Sequence, residues 1–278
     1  MKPVVAIIAQ GQMGSAVGKR LTEHGVTVLT SLSGRSFASI KRAEAAGMRA
    51  VSPDTIAHAD IILSIVPPGE AEALAQALAP HLAESARKPF YADCNAVNPE
   101  TVKRIANTIE ATGCRFIDGG IIGGPPKPNY DGPTFYLSGA GAGAVAVLSD
   151  FGLTCKLVDG PIGAASALKM SYAGITKGLT ALASIMLLAA ARAGTSDALR
   201  RELEQSQPAL LAWFGRQVPS MFDKAYRWVA EMEEIAAFVG DDLAGEALFQ
   251  ATAELYRRLA ADAAGAKSET EMLARFFR

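Results

Sequence analysis

Cysteine and histidine are scarce, three of each in 278 residues. Cys94, Cys114 and Cys155 are odd in number and widely spaced, which excludes a disulfide framework or zinc-type ligand pairs and predicts a reducing, cytoplasmic setting. His24, His58 and His81 have no neighbouring cysteine or paired carboxylates in the sequence. They read as solvated side chains, and no metal site is expected. Blocks of one charge are missing too: 27 Lys and Arg face 28 Asp and Glu, for a net charge of −1. That excludes the basic footprint of a nucleic-acid binder and the polybasic face of a membrane-surface protein. There is no Walker lysine and no Gly-x-Ser-x-Gly. The longest uncharged apolar stretch, Gly178 to Ala191, falls short of the about 20 residues of a membrane span, so it predicts a buried helix. The opening Met1-Lys2-Pro3-Val4 leads straight into apolar residues and predicts no signal peptide.

What is present is an alternation of short apolar runs and helical patterns. Val4–Ile8 is a strand, Gln12–Glu23 a helix with Met13, Val17 and Leu21 on one face, Val26–Thr30 a strand and Phe37–Ala46 a helix. Ile61–Val66 is a nearly all-apolar strand, as expected where both faces are buried. Glu70–Leu82 and Pro99–Thr112 read as helices around a strand at Phe90–Asp93. Arg115–Ile117 starts a strand that runs into a glycine- and proline-rich loop. After Asp159-Gly160-Pro161 strand signals stop. Ile162–Ala193 reads as one long helix, followed by helices at about 196–205, 208–216, 219–239, 243–264 and 269–276. Runs of βα units followed by helices alone imply two domains. The expectation is an α/β Rossmann domain over residues 1–160, with a mostly parallel doubly wound sheet, and an all-α domain over 161–278 that serves substrate binding and dimerisation.

Between the first strand and first helix lies Ala9-Gln10-Gly11-Gln12-Met13-Gly14. Gly11 allows close approach of a pyrophosphate, Gly14 allows the helix to pack on the strand, and the N–H groups at Gln12 and Met13 open the helix towards the phosphates. A carboxylate at the end of the second strand would bind the ribose 2′-hydroxyl of NAD. No Asp or Glu occurs between Gly25 and Phe37. Ser33, Arg35 and Ser36 stand there instead, an arginine with hydroxyls that suits a 2′-phosphate. The expected cofactor is therefore NADP(H).

Ala9–Gly14, Val66-Pro67-Pro68, Asp93-Cys94-Asn95 through Pro99, Asp118-Gly119-Gly120-Ile121-Ile122-Gly123-Gly124 and Gly163 to Lys169 together resemble the β-hydroxyacid dehydrogenase superfamily. That superfamily includes 3-hydroxyisobutyrate dehydrogenases, 6-phosphogluconate dehydrogenases and imine reductases. The resemblance is strongest to a divergent 6-phosphogluconate dehydrogenase-like branch with an uncharacterised C-terminal domain. It implies that the backbone at Val66 and Pro67 lines the cofactor ribose, that Asn95 replaces a serine near the nicotinamide, that Gly123 and Gly124 belong to the substrate loop, and that Lys169 is catalytic. Two positions depart: Ile122 replaces the loop serine, and Ala173 replaces the amide four residues after the lysine.

Lys169 lies among apolar residues early in the long helix, where a lysine loses proton affinity. It could hold or exchange the substrate hydroxyl proton while hydride moves to or from the nicotinamide. Lys177 differs from it by roughly 80° around the helix and is a candidate for a substrate carboxylate, or equally for solvent. Tyr172 could donate a proton but packs more naturally. Asn95 is positioned to bind the nicotinamide carboxamide or the substrate, and the Gly123 and Gly124 N–H groups a carboxylate. The reading is an NADP-dependent oxidoreductase interconverting a small hydroxy acid, or another carboxylated alcohol, with its carbonyl, as a homodimer. The alternatives are an NADPH-dependent imine reductase and a non-catalytic NADP-binding redox sensor.

Overall fold

The computed structural model describes residues 2–278. The chain forms two compact units, Met1–Met170 and Ser171–Arg278.

The first unit is built on a sheet whose strands are β1 (Val4–Ile8), β2 (Thr27–Thr30), β3 (Arg49–Ala50), β4 (Ile61–Ser64), β5 (Phe90–Asp93), β6 (Arg115–Ile122), β7 (Thr134–Ser138) and β8 (Thr154–Leu157). Their order is β3-β2-β1-β4-β5-β6-β7-β8. Every neighbouring pair is parallel except β6 and β7. The helices of this unit are α1 (Gln12–Glu23), α2 (Phe37–Ala45), α3 (Pro53–Ile56), α4 (Ala71–Glu84), α5 (Pro99–Glu110) and α6 (Ala142–Ala146).

The apolar runs explain the layering. Side chains alternate along a strand, so Ile61 and Leu63 of β4 enter one apolar core while Ile62 enters the other. Val5 and Ile7 of β1 likewise part from Ala6 and Ile8. A sheet with a core on each face must be covered by helices on both sides. Amphipathic α5 shows how each cover is made. Asn98 caps it by accepting from the Glu100 and Thr101 N–H groups, Pro99 stands in its first turn, and Val102, Ile105, Ala106 and Ile109 are buried. Capping of this kind stabilises a helix by about 1 kcal/mol.

The second unit is helical. α7 (Ala164–Arg192) starts within the first unit and continues into the second. It is followed by α8 (Ser196–Ser206), α9 (Pro208–Met221), α10 (Ala225–Phe238), α11 (Leu243–Ala264) and α12 (Ser268–Phe276). Tyr256 of α11 is fully buried and packs edge-on to Trp228 of α10, with ring centroids 5.2 Å apart. Its hydroxyl donates to the Lys177 carbonyl at 2.5 Å. α7 is long and apolar enough to cross a membrane by length and composition, and half of that stretch is buried inside the protein. On its exposed side Tyr172, Ile175, Leu179, Leu182 and Met186 recur at alternating intervals of three and four residues.

Three details differ from the sequence reading. The strand starting at Arg115 continues through Asp118-Gly119-Gly120 to Ile122, because these residues pair with β7. The two-residue β3, exposed and without an apolar signature, was not expected. Pro219, expected to open a new helix, lies inside α9 near its end. There it removes one hydrogen bond of the last turns.

Candidate active site

The glycine turn is open where a ligand would approach and tight where the helix meets the sheet. Gly11 is extended and exposed, its side chain position faces empty space, and α1 begins there with no side-chain cap and no acid in its first turn. Gln12 is exposed and Met13 half-buried. A Cβ on Gly14 would fall 1.9 Å from the Ala9 carbonyl oxygen, so only glycine fits that contact. Uncapped N–H groups at a helix start with room in front of them fit the pyrophosphate of a dinucleotide.

The exits of the neighbouring strands are tied to this turn. Ala9 N donates to the Ile65 carbonyl at 3.2 Å. Gln10 is fully buried; its Nε2 donates to Thr30 Oγ1 and to the Ser31 carbonyl, and its Oε1 has no protein partner. Beyond β2, Ser33 and Ser36 are exposed and Arg35 is half-buried. Ser36 caps α2 through the Ser39 N–H. The Arg35 guanidinium lies 3.8 Å from the Glu70 carboxylate, which comes from the short 3-10 turn Pro68–Glu70 after β4. Val66 is buried and Pro67 exposed at this exit.

A polar row crosses the sheet from the C-terminal ends of β4 and β5 through the middle of β6 to the end of β7. The register aligns Ser64 with Asp93, Asp93 with Asp118, and Asp118 with Ser138. All four are buried, and so is Asn95. Asn95 Oδ1 accepts from the Val66 N–H at 2.6 Å. Its Nδ2 donates to Ser64 Oγ and to Asp93 Oδ2, both at 2.8 Å. Both amide hydrogens are thus committed inside the protein. Asn95 has no donor left for a nicotinamide carboxamide or a substrate, and it orients its surroundings by holding the Val66 backbone. Burial pushes the Asp93 carboxyl up to about 7; the Asn95 hydrogen bonds oppose this rise, and Asp118 adds to it. Burial also raises the Cys94 thiol, which excludes it as a thiolate nucleophile.

Asp118 sets the start of α7. Its Oδ2 accepts from the N–H groups of Gly163 and Ala165 at 2.9 Å and of Ser166 at 3.1 Å, and from Ser138 Oγ at 2.9 Å. Its Oδ1 accepts from Ser166 Oγ at 2.6 Å. A buried carboxylate at a helix N-terminus satisfies groups that would otherwise be orphaned. Lys169 follows one turn later and is half-buried. A Cβ on Gly120 would lie 2.9 Å from the Ala165 carbonyl and 3.1 Å from Lys169 Cβ, so the lysine stem rests against β6 because residue 120 has no side chain. The same strand ends at Ile122 and delivers Gly123 and Gly124, both exposed. Gly123 has φ +124°, and a Cβ there would meet the Tyr130 hydroxyl at 2.6 Å. Arg20 of α1 holds the following loop by donating to the carbonyls of Lys127 and Tyr130 at 2.9 and 3.2 Å, and also donates to the Gly152 carbonyl, just before β8, at 3.2 Å.

Within the first unit, Gly11 to Met13, Val66, Asn95, Gly123 and Gly124 follow the C-terminal ends of β1, β4, β5 and β6, and Lys169 packs against Gly120 of β6. Lys177 belongs to the second unit. Its ammonium is bonded to Glu231 and lies 4.8 Å from the Trp228 ring centroid, so Glu231 supplies the carboxylate that the sequence reading assigned to a substrate. Among the described residues no cluster of His, Cys, Asp and Glu could hold a metal.

Some participants were not singled out from sequence. The Asp-Gly-Gly motif that contains Asp118 carries no local sign that its carboxylate caps α7. Arg42 donates from Nε to the Gln10 carbonyl at 2.8 Å and from Nη2 to Ser39 Oγ at 2.9 Å, tying α2 to the glycine turn. The only sequence signal for it is its place on the helix after the second strand.

Residues 4–152 match the family model described as the NAD binding domain of 6-phosphogluconate dehydrogenase, and residues 190–259 match a domain of unknown function, DUF1932. The conserved protein MTH1747, of unknown function and described as structurally similar to 3-hydroxyacid dehydrogenases, is 26% identical, with a TM-score of 0.72 over 97% of this chain and 98% of its own. A 3-hydroxyisobutyrate dehydrogenase of Mycobacterium tuberculosis, solved with L-serine, is 18% identical, with a TM-score of 0.70 over 95% of this chain and 96% of its own. An imine reductase from Myxococcus stipitatus, solved with NAD+, is 20% identical, with a TM-score of 0.60 over the full length of both chains. The last two likenesses concern the fold.

Proposed function

From the premise that the chain belongs to the family of the NAD binding domain of 6-phosphogluconate dehydrogenase, and is an oxidoreductase using a nicotinamide cofactor, we propose that it interconverts a small carboxylated alcohol, a hydroxy acid, with its carbonyl. The carrying observation is the placement of Lys169 against Gly120, on a helix whose start is fixed by Asp118. That fixing holds the ammonium's stem on the same strand that presents Gly123 and Gly124.

In this reading a bound nicotinamide supplies or accepts the hydride. Lys169 Nζ donates a proton to the forming alkoxide, or accepts one from the hydroxyl, and general acid–base help of this kind contributes about 10²–10⁴-fold. The backbone at Gly123 and Gly124 orients the carboxylate. Asn95 acts through Val66, whose N–H it holds beside the cofactor ribose. Gly11, Gln12 and Met13 receive the pyrophosphate, Pro67 lines the adenosine side, and Ser33, Arg35 and Ser36 bind a 2′-phosphate, so the cofactor is NADP(H). The three cysteines are unpaired, which supports a cytoplasmic site of action. The exposed apolar stripe of α7 supports a homodimer.

Lys169→Ala is expected to lower kcat by about 10²–10⁴-fold with NADPH affinity intact, on a panel of hydroxy acids and the corresponding oxo acids. Near-normal turnover would remove Lys169 from the chemistry. Reduction of imines with no turnover of any hydroxy acid would replace the alcohol reading by a C=N reading.

A further inference from the structure

We infer that Glu70 is a cofactor-selecting residue: it is the carboxylate that the end of β2 lacks, brought to Arg35 from the β4 exit, where it opposes binding of a 2′-phosphate. The inference rests on the nucleotide reading above.

The segment between Gly25 and Phe37 carries no acid, so Arg35 would stand alone if the site were made by that segment. It is not. The Glu70 carboxylate lies 3.8 Å from the Arg35 guanidinium. Glu70 occupies the N-cap position of α4 and makes no capping hydrogen bond with its side chain, so capping is not what holds the carboxylate there. The contacts form a closed ring. Gln10 ties the glycine turn to Ser31 at the β2 exit, Ala9 ties it to Ile65 at the β4 exit, and Arg35 and Glu70 join the two exits.

Two ligands would meet this ring differently. A 2′-phosphate is an anion with several acceptor oxygens, so it attracts the guanidinium and is repelled by Glu70. A free 2′-hydroxyl brings no charge and can donate to a carboxylate. The pair is itself weak, with side chains 29% and 56% exposed, and exposed pairs contribute little. A phosphate can therefore separate it, at a penalty that lowers but does not abolish preference for NADP(H).

The test is titration of NADPH and NADH into the purified protein without substrate, followed by nicotinamide fluorescence, for wild type, Glu70→Gln and Glu72→Gln. Glu72 is the control: it is a half-exposed acid two residues along the chain, paired with Arg104. Glu70→Gln is expected to tighten NADPH about three-fold while leaving NADH unchanged or weaker, the size of one exposed charge interaction. Glu72→Gln should leave the ratio as it is. Retained binding with an unchanged ratio in Glu70→Gln would overturn the inference, as would equal shifts in both variants. Failure of wild type to bind either nucleotide would instead refute the cofactor reading itself, and this inference with it.

Discussion

Asn95 and Asp93, two residues apart in the chain, face each other as a closed hydrogen-bonded pair, with Asn95 Nδ2 and the Asn95 backbone N–H donating to the two carboxylate oxygens at 2.8 and 3.1 Å. The strand exit beside the glycine turn is thereby a rigid construction. Asn95→Ala would leave the buried Val66 N–H without its partner and take the side-chain hydrogen bond from the buried Asp93 carboxylate, and should destabilise the fold by about 3 kcal/mol. Chemical denaturation checks this; a loss below about 0.5 kcal/mol would mean water replaces the amide.

Asp93 also predicts a pH dependence. Burial raises its folded-state carboxyl from the ordinary carboxylate range, about 4, to about 7. Between those values the folded state keeps a proton that the unfolded chain releases, so its contribution to stability is full below about pH 4 and is lost as pH rises through about 7. Asp93→Asn should flatten this part of the stability profile, measured by denaturation midpoints at pH 5 and pH 7.5. A wild-type midpoint that rises over the same interval, and equally so in the variant, would contradict the assignment.

The glycine turn separates binding from folding. Gly11 has φ −69° and empty space around its Cβ position, so Gly11→Ala should change stability by less than about 0.5 kcal/mol while weakening NADPH binding several-fold. Gly14→Ala drives a methyl into the Ala9 carbonyl and should lower the melting temperature first. Equal behaviour of the two variants in paired melting and titration experiments would count against a phosphate site here.

The face of α7 bearing Tyr172, Ile175, Leu179, Leu182 and Met186 follows the three-four spacing of a helix that packs on another helix. Leu182→Glu is expected to break the proposed dimer into monomers in sedimentation experiments, with the first unit's nucleotide affinity preserved. A wild-type protein that sediments as a monomer would dispose of the dimer.

Much of the architecture was legible because it rests on local signals. The apolar β1 and nearly all-apolar β4, the Pro99 start of α5 and the long apolar α7 each announce themselves within a short local stretch. The glycine turn between β1 and α1 was legible for the same reason. What the chain did not reveal are pairings across strand exits. Asp118 reaches Gly163 because β6 and the start of α7 are adjacent in the fold, and the same Asp-Gly-Gly reads equally well as a loop. Arg35 and Glu70 meet only because β1 lies between β2 and β4. The place of Asn95 at a strand exit was legible, but its saturation by Ser64, Asp93 and Val66 depends on a register that no local pattern encodes.

The β6–β7 pairing, antiparallel in an otherwise parallel sheet, bears on how this protein could change its diet. The loop that carries Gly123 and Gly124 connects two strands that are hydrogen-bonded to each other, Ile122 opposite Thr134. Its ends are thus pinned by the ladder, while its interior runs over the surface. Residues can be added or removed between them without shifting β6, Asp118 or the helix that bears Lys169. On the proposed reading, inheritance and engineering alike can rewrite the loop as a replaceable cassette, altering which molecule is admitted while Lys169 stays where it is.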